Sequence, residues 1–361
     1  MSENKLSFVE AINQAHFKGL KNNKKSLVLG LGVDYENGAD GTTSGLSSKF
    51  KKRVLDVPVS EAAFTGMSVG MATQGLNPIV HHGRIEFALL AMDSILTQAA
   101  KWDFMFGGEY NCSIGLRINL GRQWGNGPQH TAAYTSLFAN TPGLNVLWPS
   151  TPKEAFDFCY FLHFCKSPTI MMEHRYIFQT KENLNLKNQL SLDRVQTFSI
   201  YGKKNKITIL TYGDGLVEAL KVKDFLKNSG IDICVICMTG IINKREIPNQ
   251  VINLINESKN LLVLDTSNYN FGVMQGLLGQ LLLKINNRPK ITVFSPPFEP
   301  CPTSPKLVGE YYPFAPKLIN FLRKVEPKLP AMNKYTFDEL HLPAQMDYTK
   351  YKPKRIYQFI K

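Results

Sequence analysis

Residues 54–80 read VLDVPVSEAAFTGMSVGMATQGLNPIV. A short apolar run, Val54–Val59, leads to Ser60, which is placed to cap a helix that Gly75 then stops. NPIVHH, from Asn77, reads as the next strand. Gly, Ala and Met recur at helical spacing along this helix, so it is expected to be packed, and Glu61 opens it. A carboxylate is expensive to bury unless something pairs with it or needs its proton. The helix dipole also favours an acid in the first turn, and from these residues alone both readings stand.

The same alternation continues on both sides. KSLVLGLGV (25–33), CSIGLRINLG (112–121), NVLWP and PTIMMEH read as strands. IEFALLAMDSILTQAAKWDFMF (85–106) reads as one long helix and STPKEAFDFCYFLHFCKS as a capped one. Strands separated by helices of this length imply a mostly parallel sheet covered on both faces. Residues 176–206 are polar and less patterned, as a linker would be. A second α/β unit follows, with KITILTYG, IDICVICM, NLLVLDTS and ITVFSPP as its strands. The helical stretch SPKLVGEYYPFAPKLINFLRKV is expected to break near Pro313. Beyond Pro327, prolines and aromatics recur without period, which suits an arm lying on another subunit. The expected architecture is α/β, with two doubly wound domains over 1–200 and 201–327 and an arm over 328–361.

Composition narrows the function classes. The chain has 361 residues, 43% hydrophobic and 20% charged, which is ordinary for a globular protein. No stretch approaches the ~18–20 apolar residues of a membrane span, and the start MSENKLSFVEAINQ is polar, so a cytoplasmic protein is expected. Six scattered cysteines do not make a disulfide framework. Cys234 and Cys237 spell CxxC, but within a strand residues three apart face opposite ways, so they read as core. The net charge of +13 is spread along the chain without a nucleic-acid module. It suits a solvated basic surface, or the docking of an acidic protein partner.

The segments VSEAAFTGMSVGMATQGLNPIV, FALLAMDSILTQAAKW, FMFGGEY, GNGPQHTAAY, PGLNVLWPSTPKEA and PTIMMEHRYIF, in this order, resemble the β-subunits of thiamine-diphosphate-dependent 2-oxo acid dehydrogenases. TYGDGLVEAL and PFEPCPTSPK are similar to the same family's transketolase C-terminal-like domain, so the resemblance covers roughly residues 27–325. It implies a transketolase-like pyrimidine-binding domain followed by that second domain. It also implies that Glu61 shares a proton with the aminopyrimidine of thiamine diphosphate, activating the carbon that attacks a 2-oxo carbonyl. Phe87 matches the aromatic that packs on that ring. His130 matches the histidine that orients or protonates the substrate-derived intermediate, while His174 reads as structural.

This chain departs from the family where Glu-Phe-Met is usual before Phe87. It has His81, His82 and Gly83 there, and Arg84 and Glu86 are also unusual. Leu31 and Gly32 replace an acidic residue earlier on. The substrate pocket is therefore expected to differ, with His81 or His82 helping to shape it. Gly213-Asp214-Gly215 and Asn243 imitate a magnesium–diphosphate motif. The resemblance sets this GDG in the subunit-contact domain, away from cofactor, so no metal site is expected on this chain. A separate α-subunit is implied to hold magnesium and diphosphate, in an α2β2 assembly, with a lipoyl acyltransferase as acyl acceptor. Without it a homodimer through the C-terminal domain is expected. A split transketolase-like carboligase acting on aldehydes or sugars, and a non-catalytic subunit retaining the fold, are the competing readings.

Overall fold

The computed structural model describes residues 4–122, 126–186, 191–242, 246–267, 270–325, 327–332 and 346–360. Two sheets dominate it. The first has seven strands, in spatial order Gly240–Ile241, Asn145–Leu147, Thr169–His174, Gly115–Leu120, Asn77–His82, Ser26–Gly30 and Val54–Leu55. All neighbours in it are parallel except the pair involving Gly240–Ile241. Strands such as SLVLG, GLRINL and TIMMEH are buried along their whole length because helices cover both faces. Alternate side chains divide between those faces. Val28, Ile79 and Met171 pack with the helices Phe8–Asn22 and Pro152–Leu162. Leu29, Val80 and Leu116 pack with Glu61–Thr73 and the helical stretch 85–105.

That stretch is helical throughout, as its sequence suggests, but it is not one regular helix. It passes through a 3-10 turn at Leu89–Ala91 and a π segment at Asp93–Ala99. Residues 305–325 break where the sequence indicates, into Pro305–Tyr311 and Ala315–Val325. Cys234 and Cys237 lie in the fully buried strand Cys234–Met238.

The second sheet runs Lys290–Phe294, Asn260–Leu264, Ile207–Tyr212, Cys234–Met238, Arg194–Tyr201 and Lys354–Phe359. Two of these strands come from segments read differently in the sequence. Arg194–Tyr201 falls inside the expected linker, across the boundary drawn at 200, yet pairs with Cys234–Met238. Its polar residues disguised it. Gln196 and Ser199 face inward, where both donate to Glu154 Oε1, at 2.5 and 2.7 Å. Lys354–Phe359, in the segment read as an arm for another subunit, pairs antiparallel with Arg194–Tyr201 of its own chain. No helix among the described residues is long and apolar enough to cross a membrane.

Candidate active site

Glu61 is the first residue of the helix Glu61–Thr73 and is 6% exposed. Ser60 stands at the cap position without a side-chain capping bond, so the expected hydroxyl cap is not formed. Among the described residues the Glu61 carboxylate has no hydrogen-bond or ion-pair partner. The site thus holds an acid at a buried helix start whose carboxylate none of the described residues engages.

One helical turn further, Thr65 Oγ1 lies 3.2 Å from His82 Nε2, and Phe64 packs on the His82 ring at 5.3 Å between centroids. His82 therefore belongs to the face that carries Glu61, because residues four apart share a helix face. Burial pushes its pKa down to about 4, so it is neutral near pH 7, and its Nδ1 has no partner. His81, its neighbour on the strand, points to the opposite face of the sheet. There, burial and then Arg117 hold it well below the ordinary histidine range. Both imidazoles are buried, but only His82 is on the Glu61 side.

Phe87 and His130 meet edge to face, with ring centroids 5.7 Å apart. Both are half-buried. His130 closes a 3-10 turn, Pro128–His130, its backbone N–H bonded to Gly127 O at 3.2 Å and its Nδ1 unpartnered. Glu86 Oε1 accepts from the Ala132 backbone at 2.8 Å, tying the segment after His130 to the helix bearing Phe87. Sequence reading noticed Glu86 only as an unusual residue. Its role needed the loop brought back in space.

Behind the sheet lies a polar network that composition did not reveal. Arg117 is fully buried and paired twice with Glu173, at 2.6 and 2.7 Å. A lone charge in each of two neighbouring apolar strands, GLRINL and TIMMEH, was the available signal. Arg117 donates to His16 Nε2 at 2.9 Å, which leaves the His16 proton on Nδ1, facing His163 Nε2 at 3.0 Å. His163 then donates from Nδ1 to Ser26 Oγ at 2.8 Å, and Ser26 donates to Asn77 O at 3.0 Å. His16, Cys159 and His163 bring ligand atoms within 4.8 Å of one another. Their nitrogens are already matched donor to acceptor beside a guanidinium, and burial pushes the Cys159 thiol up to about 12. That chemistry resists a cation.

Asp214 of the GDG imitation is not remote from the first domain. Its carboxylate pairs with Arg122, accepts from Thr266 Oγ1 at 2.5 Å and lies 3.3 Å from His174 Nδ1. Asn243 lies outside the described residues. With both oxygens engaged, one of them by a guanidinium, Asp214 is poorly disposed to ligate magnesium.

The transketolase pyrimidine-binding domain model matches residues 4–180. The chain is 30% identical to the pyruvate dehydrogenase E1 component subunit beta-2, mitochondrial, of Oryza sativa subsp. japonica, over 70% of this chain and 68% of that relative. It is 27% identical to the acetoin:2,6-dichlorophenolindophenol oxidoreductase subunit beta of Cupriavidus necator, over 89% of this chain and 97% of the other. Among solved structures, one described as "Split gene transketolase, inactive beta4 tetramer" superposes with a TM-score of 0.70 at 15% identity. It covers 90% of this chain and all of that one. The transketolase of Campylobacter jejuni superposes with a TM-score of 0.62 at 13% identity, over 90% of this chain and 47% of its own. At these identities the superpositions speak for the fold alone.

Proposed function

The chain belongs to the β-subunits of thiamine-diphosphate-dependent 2-oxo acid dehydrogenases, and from that premise we propose that Glu61 is the acid that activates the cofactor. The observation that carries the reading is a buried carboxylate, 6% exposed, with no partner among the described residues. An aminopyrimidine nitrogen is a fitting partner for it, because the shared proton offsets the cost of burying the charge. Thiamine diphosphate, when bound, supplies a carbon nucleophile and an electron sink. Glu61 holds the proton that sets the ring's tautomer, and Phe87 offers a face for the ring to pack on. His130, with Nδ1 unpartnered, is free to orient or protonate the substrate's oxygen.

The diphosphate and magnesium need hard oxygen ligands, and Asp214 is already committed to Arg122 and Thr266. We assign both to an α-subunit, in an α2β2 assembly with the cofactor at the α/β contact. Val59, Met67, Leu90 and Phe104 support this reading, since each is well exposed on or beside the helices that carry Glu61 and Phe87. In this assembly the 2-oxo acid is decarboxylated and its acyl group passes to a lipoyl acyltransferase, in the cytoplasm. His81 or His82 was expected to help shape the substrate pocket, and His82, on the Glu61 side, is the better supported. A second reading, a split carboligase acting on aldehydes or sugars, draws on His81, His82 and Gly83 standing where the family usually has Glu-Phe-Met.

The test is co-expression with a candidate α-subunit and a 2-oxo acid screen with thiamine diphosphate and magnesium. Turnover is expected, and Glu61→Gln should lower it by about 100- to 10,000-fold. Full activity in Glu61→Ala would overturn the assignment and favour a subunit that only retains the fold.

A further inference from the structure

Gly121, just after the strand Gly115–Leu120, backs directly onto His130, whose half-buried imidazole meets Phe87. A Cβ on Gly121 would lie 2.6 Å from His130 O and 3.1 Å from Thr131 Cα. The next residue, Arg122, reaches from the first domain to the second. Its side chain enters the crevice at the carboxyl ends of Ile207–Tyr212 and Asn260–Leu264, where an open α/β sheet ordinarily offers a binding site. It pairs there with Asp214, and its Nη2 lies 3.9 Å from Glu218 Oε1. Three aromatic rings enclose the guanidinium, Tyr176 at 4.2 Å and Tyr312 and Phe314 at 4.8 Å. Arg122 is 3% exposed.

We infer that Arg122 is a positioning residue for His130, through which the second domain sets the place of the imidazole relative to Phe87. The inference rests on the role proposed above for His130. Adhesion between the domains does not require an arginine, because apolar residues of similar volume usually replace a buried ion pair at little cost. What a caged guanidinium adds is direction. A planar guanidinium held by a carboxylate through Nη1 and stacked on rings has few orientations available. That constraint passes through Gly121 to the His130 backbone. Among the described residues the imidazole has little else to hold it, since its ring meets the Phe87 edge and its Nδ1 has no hydrogen-bond partner. Glu86 secures the segment on the far side, through Ala132. The two ties converge on His130, one from each domain.

The decisive variant is the double substitution Arg122→Met/Asp214→Asn, which removes both charges together and so leaves neither buried alone. With the α-subunit, kcat is expected to fall about 10- to 100-fold while KM for the 2-oxo acid stays within about threefold. In the isolated chain labelled with carbon-13 at histidine Cε1, the His130 signal, assigned by its loss in His130→Ala, should shift or broaden. A folded double variant with an unmoved His130 signal, or with kcat within about twofold of wild type, overturns the inference. Should the double variant fail to fold, Arg122→Lys keeps the charge but loses the planar fork, and the same two readouts decide. If the wild-type assembly turns over no 2-oxo acid, the functional reading fails, and the His130 signal still shows whether Arg122 governs the ring.

Discussion

Glu61 sits at the first position of a packed helix with nothing among the described residues to accept or share its charge. Glu61→Gln keeps the shape and removes a charge that no described residue engages, so it should leave the melting midpoint of the isolated chain within about 2 °C while costing activity. Calorimetry of the isolated chain checks this, and a lower midpoint would mean that the carboxylate has a partner of its own. His81 and His82 separate at the same scale. His82 touches Thr65 and Phe64 on the Glu61 helix, whereas His81 faces Arg117 across the sheet. His82→Ala is expected to change the kcat/KM ratio between a small and a branched 2-oxo acid by about tenfold. His81→Ala should lower stability and leave that ratio alone. A His81/His82 double alanine variant with wild-type preference would sink the pocket assignment.

At the scale of elements, most of the first domain was legible because its strands are short apolar runs between well-punctuated helices. The strand Arg194–Tyr201 was not, because its inward polar residues look like linker until Glu154 is seen beneath them. The tail was misleading for a related reason. Its strand has only a half-buried pattern, with Ile356 alone buried, and its pairing partner is more than 150 residues earlier. Tyr348 is buried before it, and Tyr351 donates to Asp224 at 2.6 Å. Deleting residues 347–361 should therefore cost several kcal/mol in urea unfolding of dilute isolated chain, counting about 1.5–3 kcal/mol for each large side chain uncovered. An arm that served only another subunit would leave that dilute unfolding curve unchanged.

Across the whole molecule, the buried histidines set an acid limit. His82 and His163 are pushed down to about 4 and about 3 by burial, and His16 and His81 lie well below their ordinary value for the same reason. In the unfolded chain each regains a pKa near 6.5, so the unfolded state binds more protons below that pH. Stability is therefore intact above about pH 6.5 and falls as pH drops toward 4, by about 1.4 kcal/mol per pH unit for each histidine. Urea midpoints measured at pH 7, 6 and 5 should fall with increasing steepness. A flat profile over that range would show that these histidines are not held neutral.

The order of apolar runs, caps and glycines determined the α/β class and the two sheets, because each of those signals is local in the chain, while Glu61, Phe87 and His130 were expected from the family resemblance. Distance along the chain hid the rest. Arg122 reaches Asp214, Arg355 approaches Glu182 at 3.4 Å, and the Gly240–Ile241 strand completes the first sheet from within the second half. A polar residue declares whether it is surface or buried partner only when the fold brings its counterpart to it. The joint between the domains, and the footing it gives His130, was therefore decided by tertiary structure alone.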